Sequence, residues 1–425
     1  MPILLLLYTF NYMDRSNIAY AQLGMGQDLG ISVATFGTVA GILFIGYVIF
    51  EIPSNMMMKL LGARFWLSRI AISWGVIAVL TAFVSNVTQL YLVRVLLGIA
   101  EAGLYPGLML YIVLWFRSKD RVRAVAALTA CQPVALIVGS LTGGWILDNI
   151  HWLTLHSWQW LFILQGAPSI LIGAIAYRYL PSKPDEARFL TEEEVSWLQS
   201  EISKDYDPHE QQVSFLGQLR AIRNIKLIHL ATANFLIGCG LYGLTFFLPL
   251  ILKQVDPTYS STEIGLLGAI PYLLAAPSLL LVAANSDRTG NHKAHVMVLA
   301  IVAALGLFGV IQFAAVPTLS LACLALAAIG VFGALSPVWG IAARMLSREH
   351  NAVGLATVNT LSLVSGFVAP VAIGMIVSES DVIVGLYFPI TCLVIAAAML
   401  YFLRVPAANA TRASTVSASA PEASP

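Results

Sequence analysis

The chain has 425 residues, of which 58% are hydrophobic and 11% are charged, and its mean hydropathy is +0.81. These values exclude an ordinary soluble globular protein and indicate a chain whose solvent is lipid. The formal net charge of +1 gives no reason to expect nucleic acid or another polyanion as a partner.

The first apolar segment begins almost at the N-terminus and superficially looks like a secretory signal peptide, with Ala-Tyr-Ala at residues 19–21 in place of a cleavage site. No basic residue precedes Ile3, however, and Asp14 and Arg15 lie in the middle of the segment. Both features fit a functional membrane helix better than a cleaved leader. We therefore predict that this segment is the first membrane span.

Twelve apolar segments are long enough to cross a bilayer, which takes roughly 20 residues in a helix. A long polar stretch separates the sixth segment from the seventh. Hydropathy predicts spans at about 2–24, 35–60, 65–84, 88–117, 121–148, 158–180, 225–252, 263–285, 293–314, 317–345, 350–378 and 382–403. The predicted fold class is thus an all-α membrane protein with twelve transmembrane helices.

Basic residues fall almost entirely on one side of this arrangement. Among the outer loops, only Lys253 is basic. The cytoplasmic side holds the central segment and Lys59, Arg64, Arg117, Lys119, Arg121, Arg123, Arg288, Lys293, Arg344, Arg348 and Arg404. Because cytoplasmic loops of membrane proteins are rich in Lys and Arg, this asymmetry supports the helix count and predicts that both termini are cytoplasmic.

Two six-helix halves are predicted to flank one soluble segment. We assign residues 1–180 to the N-terminal half, 181–222 to a cytoplasmic linker, 223–404 to the C-terminal half and 405–425 to a disordered tail of Ala, Ser, Thr and Pro. In the linker, Thr191 and Glu194 have the spacing of a capping box, which predicts a short amphipathic surface helix. We interpret this helix as part of a linker rather than as a docking site.

Four charged side chains lie inside the predicted spans, where a charge costs a few kcal/mol or more and is a functional hypothesis by default. Asp14 and Arg15 are about a dozen residues into the first helix, roughly 18 Å along its axis, which places them near the middle of the bilayer. Arg94 and Glu101 are seven residues apart on the fourth helix, so they share one face of it.

The four charges form a neutral set, which has two interpretations. A buried structural ion-pair network is one of them. The other, which we favour, is a binding cavity in which an arginine offers a bidentate fork to a substrate carboxylate. In that cavity Asp14 and Glu101 would load and release protons as the surroundings of each carboxylate change.

Short motifs at the helix ends indicate a known architecture. The sequence Asp287-Arg288-Thr289-Gly290-Asn291-His292-Lys293 resembles the cytoplasmic signature DRxGRR of the major facilitator superfamily. The corresponding loop at residues 61–66 departs from that signature. The resemblance implies two similar halves with substrate bound between them, and it makes Asp287 and Arg288 candidate gating residues. The alternative is a generic turn between two helices.

A more specific resemblance lies at the intramembrane charges. The segment 11–17 (Asn-Tyr-Met-Asp-Arg-Ser-Asn), Arg94 with Glu101-Ala-Gly and then Pro106-Gly, and the linker segment 189–194 (Phe-Leu-Thr-Glu-Glu-Glu) resemble the anion:cation symporter family within that superfamily. The resemblance covers about residues 2–404. The family includes bacterial sugar-acid, tartrate, phthalate and hydroxyphenylacetate permeases, so it implies a multi-pass protein of the bacterial inner membrane that carries a small organic anion.

The resemblance also implies roles for individual residues. Asp14 and Glu101 resemble the family's proton-carrying carboxylates, whereas Arg15 and Arg94 resemble its substrate or coupling arginines. Further positions that resemble contacts of the sugar-acid branch are Tyr47, Gln132, Ser336, Trp339 and Asn359. Taken singly these five are weak indications, because polar side chains in membrane helices often only join helices by hydrogen bonds.

The predicted function is proton-coupled uptake of a small organic carboxylate by alternating access. Protonation of Asp14 and Glu101 would free Arg15 and Arg94 from their acid partners, and the substrate anion would take the freed positive charges. A facilitator, or a proton-coupled antiporter of a different small solute, is the alternative. For Glu51, near the inner end of the second helix, we favour a gate or a structural pair with a nearby arginine.

No enzyme activity is predicted, because the sequence contains no nucleophile elbow, Walker loop or dinucleotide fingerprint. The histidines lie at helix ends or in loops without ligand spacing, so neither a metal site nor a cofactor is expected. The four cysteines fall singly in apolar stretches and are expected to pack there: Cys131, Cys239, Cys323 and Cys392. Expected partners are the organic anion, protons and membrane lipid, and we expect a monomer.

Overall fold

The computed structural model describes residues 1–187, 189–204, 225–345, 351–377 and 381–405. Within these ranges the regular structure is helical throughout. The N-terminal six spans are built from α1 (Pro2–Asp28), α2 (Val33–Gly41), α3 (Leu43–Leu61), α4 (Ala63–Thr81), α5 (Val87–Glu101), α6 (Leu104–Trp115), α7 (Ser118–Asn149) and α8 (Ser157–Tyr179).

The C-terminal six spans follow a surface segment that contains a 3₁₀ turn at Pro184–Glu186 and the helix α9 (Glu192–Lys204). The spans are α10 (Ile225–Val255), α11 (Ser261–Thr289), α12 (His292–Gln312), α13 (Pro317–Met345), α14 (Asn351–Ile376) and α15 (Tyr387–Phe402), the last preceded by a 3₁₀ turn at Ile383–Leu386.

Eleven spans are long and apolar enough to cross a membrane by their own composition. The remaining helix, α1, has 27 residues but a lower mean hydropathy because its middle carries polar side chains such as Asn11, Asp14 and Arg15. Its central residues are nevertheless buried, and it packs on α7, α8 and α10. The predicted all-α fold of twelve membrane helices is therefore confirmed.

Two of the N-terminal spans are interrupted in the middle. The second span changes course at Ile42, between α2 and α3, and the fourth at Ala102-Gly103, between α5 and α6. Gly103 has a φ of +84°, a left-handed conformation that favours glycine. A Cβ atom here would also lie 2.4 Å from the Ser54 hydroxyl on α3, so the second break depends on glycine twice over.

The two halves contact each other closely toward the outer side of the membrane. Gly144 on α7 meets the carbonyl of Ser261 at the start of α11. Nearby, the Asp148 carboxylate accepts hydrogen bonds from the backbone amides of Ser261 (3.2 Å) and Thr262 (2.6 Å), which caps α11 from the opposite half. In a second contact between the halves, Gly37 on α2 lies against the backbone of α14. These contacts close the outer end of the molecule.

The linker helix α9 begins with the expected capping box, in which Thr191 and Glu194 bond reciprocally to each other's backbone amides at 2.8 and 3.2 Å. It lies under the inner end of the fourth span, where the Arg117 guanidinium stacks over the Trp197 ring at 5.2 Å. The predicted tail at 405–425 lies outside the described residues beyond Val405.

The outer contact gives a first prediction. A Cβ at Gly144 would lie 2.3 Å from the Ser261 carbonyl oxygen, which is backbone and cannot rotate away. We expect Gly144→Ala to separate the outer ends and enrich an outward-open state. The measurement is the distance distribution between two spin labels by double electron–electron resonance. The labels replace Phe83 and Val316, which lie exposed in outer loops of the two halves.

The adjacent glycine provides the matched control for that measurement. A Cβ at Gly143 would lie 3.4 Å from its nearest neighbour, an ordinary contact within the N-terminal half. Gly143→Ala should therefore leave the distance distribution unchanged. Identical distributions for the two variants would contradict the assignment of Gly144 to the outer closure.

Candidate functional site

A buried ion pair occupies the middle of the N-terminal half. The Arg15 Nε atom on α1 lies 2.6 Å from the Glu101 Oε2 atom at the end of α5, in a charge-assisted hydrogen bond. The Glu101 side chain has no exposed surface, whereas 11% of the Arg15 side chain stays exposed. Of the two partners, only the Arg15 side chain reaches accessible space. The second Glu101 oxygen, Oε1, is buried without a hydrogen-bond partner.

Aromatic rings surround the exposed part of this guanidinium. The Arg15 Cζ atom lies 4.5 Å from the centre of the Tyr47 ring and 5.9 Å from that of Phe44, both on α3, within the range of cation–π attraction. Phe44 in turn meets Tyr242 of α10 edge to face at 4.8 Å. The predicted residues Arg15, Glu101 and Tyr47 thus lie together, next to the surface where the halves meet.

Asp14 neighbours Arg15 in sequence but points the other way. Its Oδ2 atom accepts hydrogen bonds from the Trp74 indole on α4 (2.8 Å) and the Ser169 hydroxyl on α8 (3.0 Å). Its Oδ1 atom is buried without a partner. Asp14 is 1% exposed and lies in the packing core of α1, α4 and α8, so a substrate in the space beside Arg15 would not touch it.

Arg94 is fully buried and binds backbone rather than a carboxylate. Its Nε and Nη2 atoms donate to the carbonyl oxygens of Val39 (3.2 Å) and Ala40 (3.4 Å), which lie at the C-terminal end of α2, just before the break in the second span. In the described part of the chain Arg94 forms no ion pair, so it has no acid partner to be freed from in this conformation. One nitrogen, Nη1, is buried without a partner.

A carboxylate on α3 joins the two halves on the inner side of this cluster. Glu51, which is 6% exposed, accepts a hydrogen bond from the Asn359 amide of α14 at 3.4 Å. Asn359 was predicted as a substrate contact, and in this conformation it binds Glu51. Glu51 also forms a hydrogen bond with the Thr360 side chain and interacts electrostatically with Arg15. The gate or structural pair predicted for Glu51 stays a prediction.

The other predicted substrate contacts lie farther from the ion pair. Gln132 on α7 donates to the Tyr8 hydroxyl at 2.7 Å and keeps a buried, unpartnered Oε1 atom. Ser336 and Trp339 are half-buried on α13, and Trp339 packs beside an apolar cluster that contains Leu227. The structure does not bring these C-terminal side chains against Arg15 in this conformation, and their substrate role stays a prediction.

The candidate gating residues lie at the inner end of α11. Asp287 and Arg288 are both exposed, and the Asp287 Oδ1 atom is 3.9 Å from the His292 ring. The hydrogen bond that stabilises the turn between α11 and α12 comes from another residue. The Arg344 guanidinium donates to the Gly290 carbonyl at 2.6 Å. The gating role of Asp287 and Arg288 stays a prediction.

Sequence reasoning missed two groups of side chains. One donates hydrogen bonds to Asp14, and the other is a cluster of tyrosine rings beside Gln132. Trp74 and Ser169 carry no signal of their own, because a Trp or Ser in a membrane helix has many uses. The Tyr8 ring lies 5.4 Å from Tyr105 and 6.0 Å from Tyr12. The sequence did indicate the three tyrosines, since tyrosine is unusual in the middle of lipid-facing spans and more typical of membrane interfaces.

Metal chemistry has no support in the described residues. No group of three or more His, Cys, Asp or Glu side chains there could hold a metal ion. The site consists of paired charges, amides and aromatic rings, an arrangement that binds a solute by charge and shape.

Comparison with known proteins identifies the family. The family model described as Major Facilitator Superfamily matches residues 4–258 and 230–424. The chain therefore belongs to the Major Facilitator Superfamily, and it is a multi-pass transporter of the inner membrane rather than an enzyme. Its relatives support the predicted resemblance to the anion:cation symporters within that superfamily.

Two relatives show the range of names among similar chains. A protein of Agrobacterium vitis named a tartrate transporter is 36% identical over 406 residues, which cover 95% of this chain and 89% of that protein. The quinolone resistance transporter of Acinetobacter baumannii is 33% identical over 388 residues, covering 91% and 89%.

Solved structures agree on the fold. A bacterial homologue of the human lysosomal transporter Spinster, in an inward-facing conformation, has a TM-score of 0.76 at 19% identity and covers 94% of this chain and 95% of its own. The xylose transporter of E. coli, in a partially occluded inward-open conformation, has a TM-score of 0.74 at 15% identity, covering 95% and 98%.

The position of Arg94 gives a second prediction. Because its guanidinium holds two backbone carbonyls at the break in the second span, Arg94→Met should lower the free energy of unfolding by about 2 kcal/mol, the range for hydrogen bonds to a charged group. The measurement is the thermal unfolding midpoint of the purified protein in detergent. Arg69→Met is the control, because Arg69 is a half-buried arginine whose recorded hydrogen bond goes to Ser73 on its own helix. Equal midpoints for the two variants would contradict this backbone role.

Proposed function

We infer that this transporter carries a small organic carboxylate inward together with protons. The observation that carries this proposal is the Arg15–Glu101 pair, in which the Glu101 side chain is fully buried and the Arg15 side chain is 11% exposed. A substrate carboxylate arriving from the accessible side meets Arg15 first. It must then compete with Glu101 for the same positive charge.

Protonation decides that competition. When Glu101 is ionised, it neutralises Arg15, and an added anion would leave an uncompensated negative charge in a low-dielectric interior. When Glu101 takes a proton, the guanidinium is free to bind the substrate anion, and the site stays neutral.

Asp14 acts on this cycle indirectly in our proposal. Its carboxylate bonds to Trp74 and Ser169 and therefore links α1 to α4 and α8. A proton on Asp14 would weaken the hydrogen bonds that it accepts and loosen α1 in its packing. Since α1 carries Arg15 on a different face, the two acids would be coupled through the helix rather than by contact.

The substrate class follows from Tyr47 beside Arg15 and from Gln132, a partly buried amide elsewhere in the N-terminal half. The Tyr47 ring offers an apolar face and a hydroxyl, and Gln132 keeps an amide oxygen that could accept a bond from a substrate hydroxyl. This set suits a hydroxylated acid such as a sugar acid or tartrate, in line with the name of one relative. An aromatic acid would also stack on Tyr47. The relative named for quinolone resistance favours a second candidate, proton-coupled export of a drug-like solute.

The experiment that tests this proposal is uptake into proteoliposomes in sodium-free buffer. Labelled sugar acids, tartrate, phthalate and hydroxyphenylacetate are supplied with and without an inward proton gradient. We expect one acid to accumulate and the accumulation to collapse with a protonophore, because protons drive the anion. Exchange without accumulation would indicate a facilitator. Transport of a quinolone with no anion transport would favour the drug exporter.

A variant of Glu101 tests the coupling. Glu101→Gln imitates the protonated acid, so Arg15 stays free for substrate but no proton is carried. We expect substrate exchange to persist while the accumulation ratio under a proton gradient falls to about one. Glu263→Gln, at an exposed capping box on the outer side of α11, is the control and should accumulate normally. Full accumulation by Glu101→Gln would overturn the coupling role of this residue.

A further inference from the structure

A second binding feature lies on the cytoplasmic side of the C-terminal half, far from the ion pair. A cavity of about 840 Å³ opens between the inner ends of α11, α12, α13 and α15. Three permanent cations line it: Lys293 at the start of α12, Arg344 at the end of α13 and Arg404 just after α15. Asp287 is a nearby carboxylate, but it does not line the cavity. Its side chain contacts His292 and is 71% exposed.

The hydrogen bonds of these cations leave donors to spare. The Lys293 ammonium donates to the carbonyls of Tyr401 (2.8 Å) and Leu403 (2.9 Å), which leaves one of its three N–H groups. Arg344 donates one recorded bond, to Gly290, from a guanidinium that has five N–H groups. Arg404 is exposed and forms no hydrogen bond within the described residues. Capping of helix ends therefore explains part of this charge and leaves the rest without a counter-charge among the described residues.

The cavity lies between two helices whose outer faces meet lipid. On α12, Val298 and Leu305 are 59% and 60% exposed, and on α15 Val394 is 53% exposed. At the mouth, Tyr401 and Phe402 are 65% and 74% exposed, as is typical of aromatic side chains at the level of lipid headgroups. A ligand that places a phosphate on the cations and its acyl chains along these faces would satisfy both surfaces.

We propose that this cavity binds the headgroup of an anionic phospholipid of the inner leaflet, with Lys293, Arg344 and Arg404 facing the phosphate. Basic pockets between membrane helices on the cytoplasmic side have the chemistry for this ligand. The apolar faces of α12 and α15 favour a lipid over free phosphate, which would gain nothing from them. The proposal is independent of the transported substrate.

The test measures lipid bound to the purified full-length protein. Delipidated protein in a neutral detergent is titrated with short-chain phosphatidylglycerol, short-chain phosphatidylcholine or inorganic phosphate, and bound lipid is counted by native mass spectrometry. We expect phosphatidylglycerol to bind more tightly than the other two. Arg404→Ala should weaken its binding on the order of fivefold and Arg404→Glu more, because each cation near an anionic headgroup contributes about that factor.

Arg404 is the residue to change because its side chain supports no recorded contact, so the variants should fold. Arg178→Glu is the matched control, since Arg178 is also exposed at the cytoplasmic end of a span; its guanidinium lies 5.4 Å from the Tyr179 ring, outside the proposed cavity. Equal lipid binding by wild type and Arg404→Glu, or an equal loss in Arg178→Glu, would overturn the proposal. If inorganic phosphate binds as tightly as the lipid, the cavity is a site for a free anion. If the lipid binds only after residues 406–425 are removed, the cavity is a site for the chain's own tail. Either result overturns the lipid assignment.

Discussion

A charge inside a membrane protein must be neutralised where it stands, and the pair of Arg15 with Glu101 is the interaction on which the rest of this structure depends. Neither group could be buried alone at tolerable cost. Together they form a neutral pair. In the mechanism that we propose, this pair accepts a substrate anion only when Glu101 takes a proton, so the same guanidinium serves the protein's own acid and the substrate in turn.

The helix breaks create the geometry that this pair requires. Glu101 is the last residue of α5, two residues before the left-handed Gly103, so the break turns the chain where the carboxylate faces α1. The break in the second span exposes the carbonyls of Val39 and Ala40, which an unbroken helix would satisfy internally. Arg94 fills that need. A residue that looks like a ligand for substrate thus also maintains the shape of the site.

Motion between the halves is governed by a different kind of contact. At the outer ends, Gly144 and Gly37 let backbones approach without side chains between them, so closure there depends on how closely the helix backbones fit together. On the inner side of the ion pair, the recorded bond between the halves joins Glu51 to Asn359 at 3.4 Å and is polar. The outer closure thus combines close backbone packing with the cap that Asp148 provides to α11. The inner contact lies beside the buried ion pair, where charge in the site can act on it directly.

The sequence by itself determined the membrane class, the twelve spans, their orientation and the four intramembrane charges, because lipid makes each polar group in a span conspicuous. It also indicated Arg15, Glu101 and Tyr47 as candidate site residues through a family resemblance, and the structure places these three together. Only the tertiary structure decided that Asp14 points away from Arg15, since adjacent residues on a helix face different directions and the partner helices cannot be inferred from periodicity. The backbone role of Arg94 and the bond from Asn359 to Glu51 depend on helix breaks and on packing between halves, which are long-range features that no local pattern encodes.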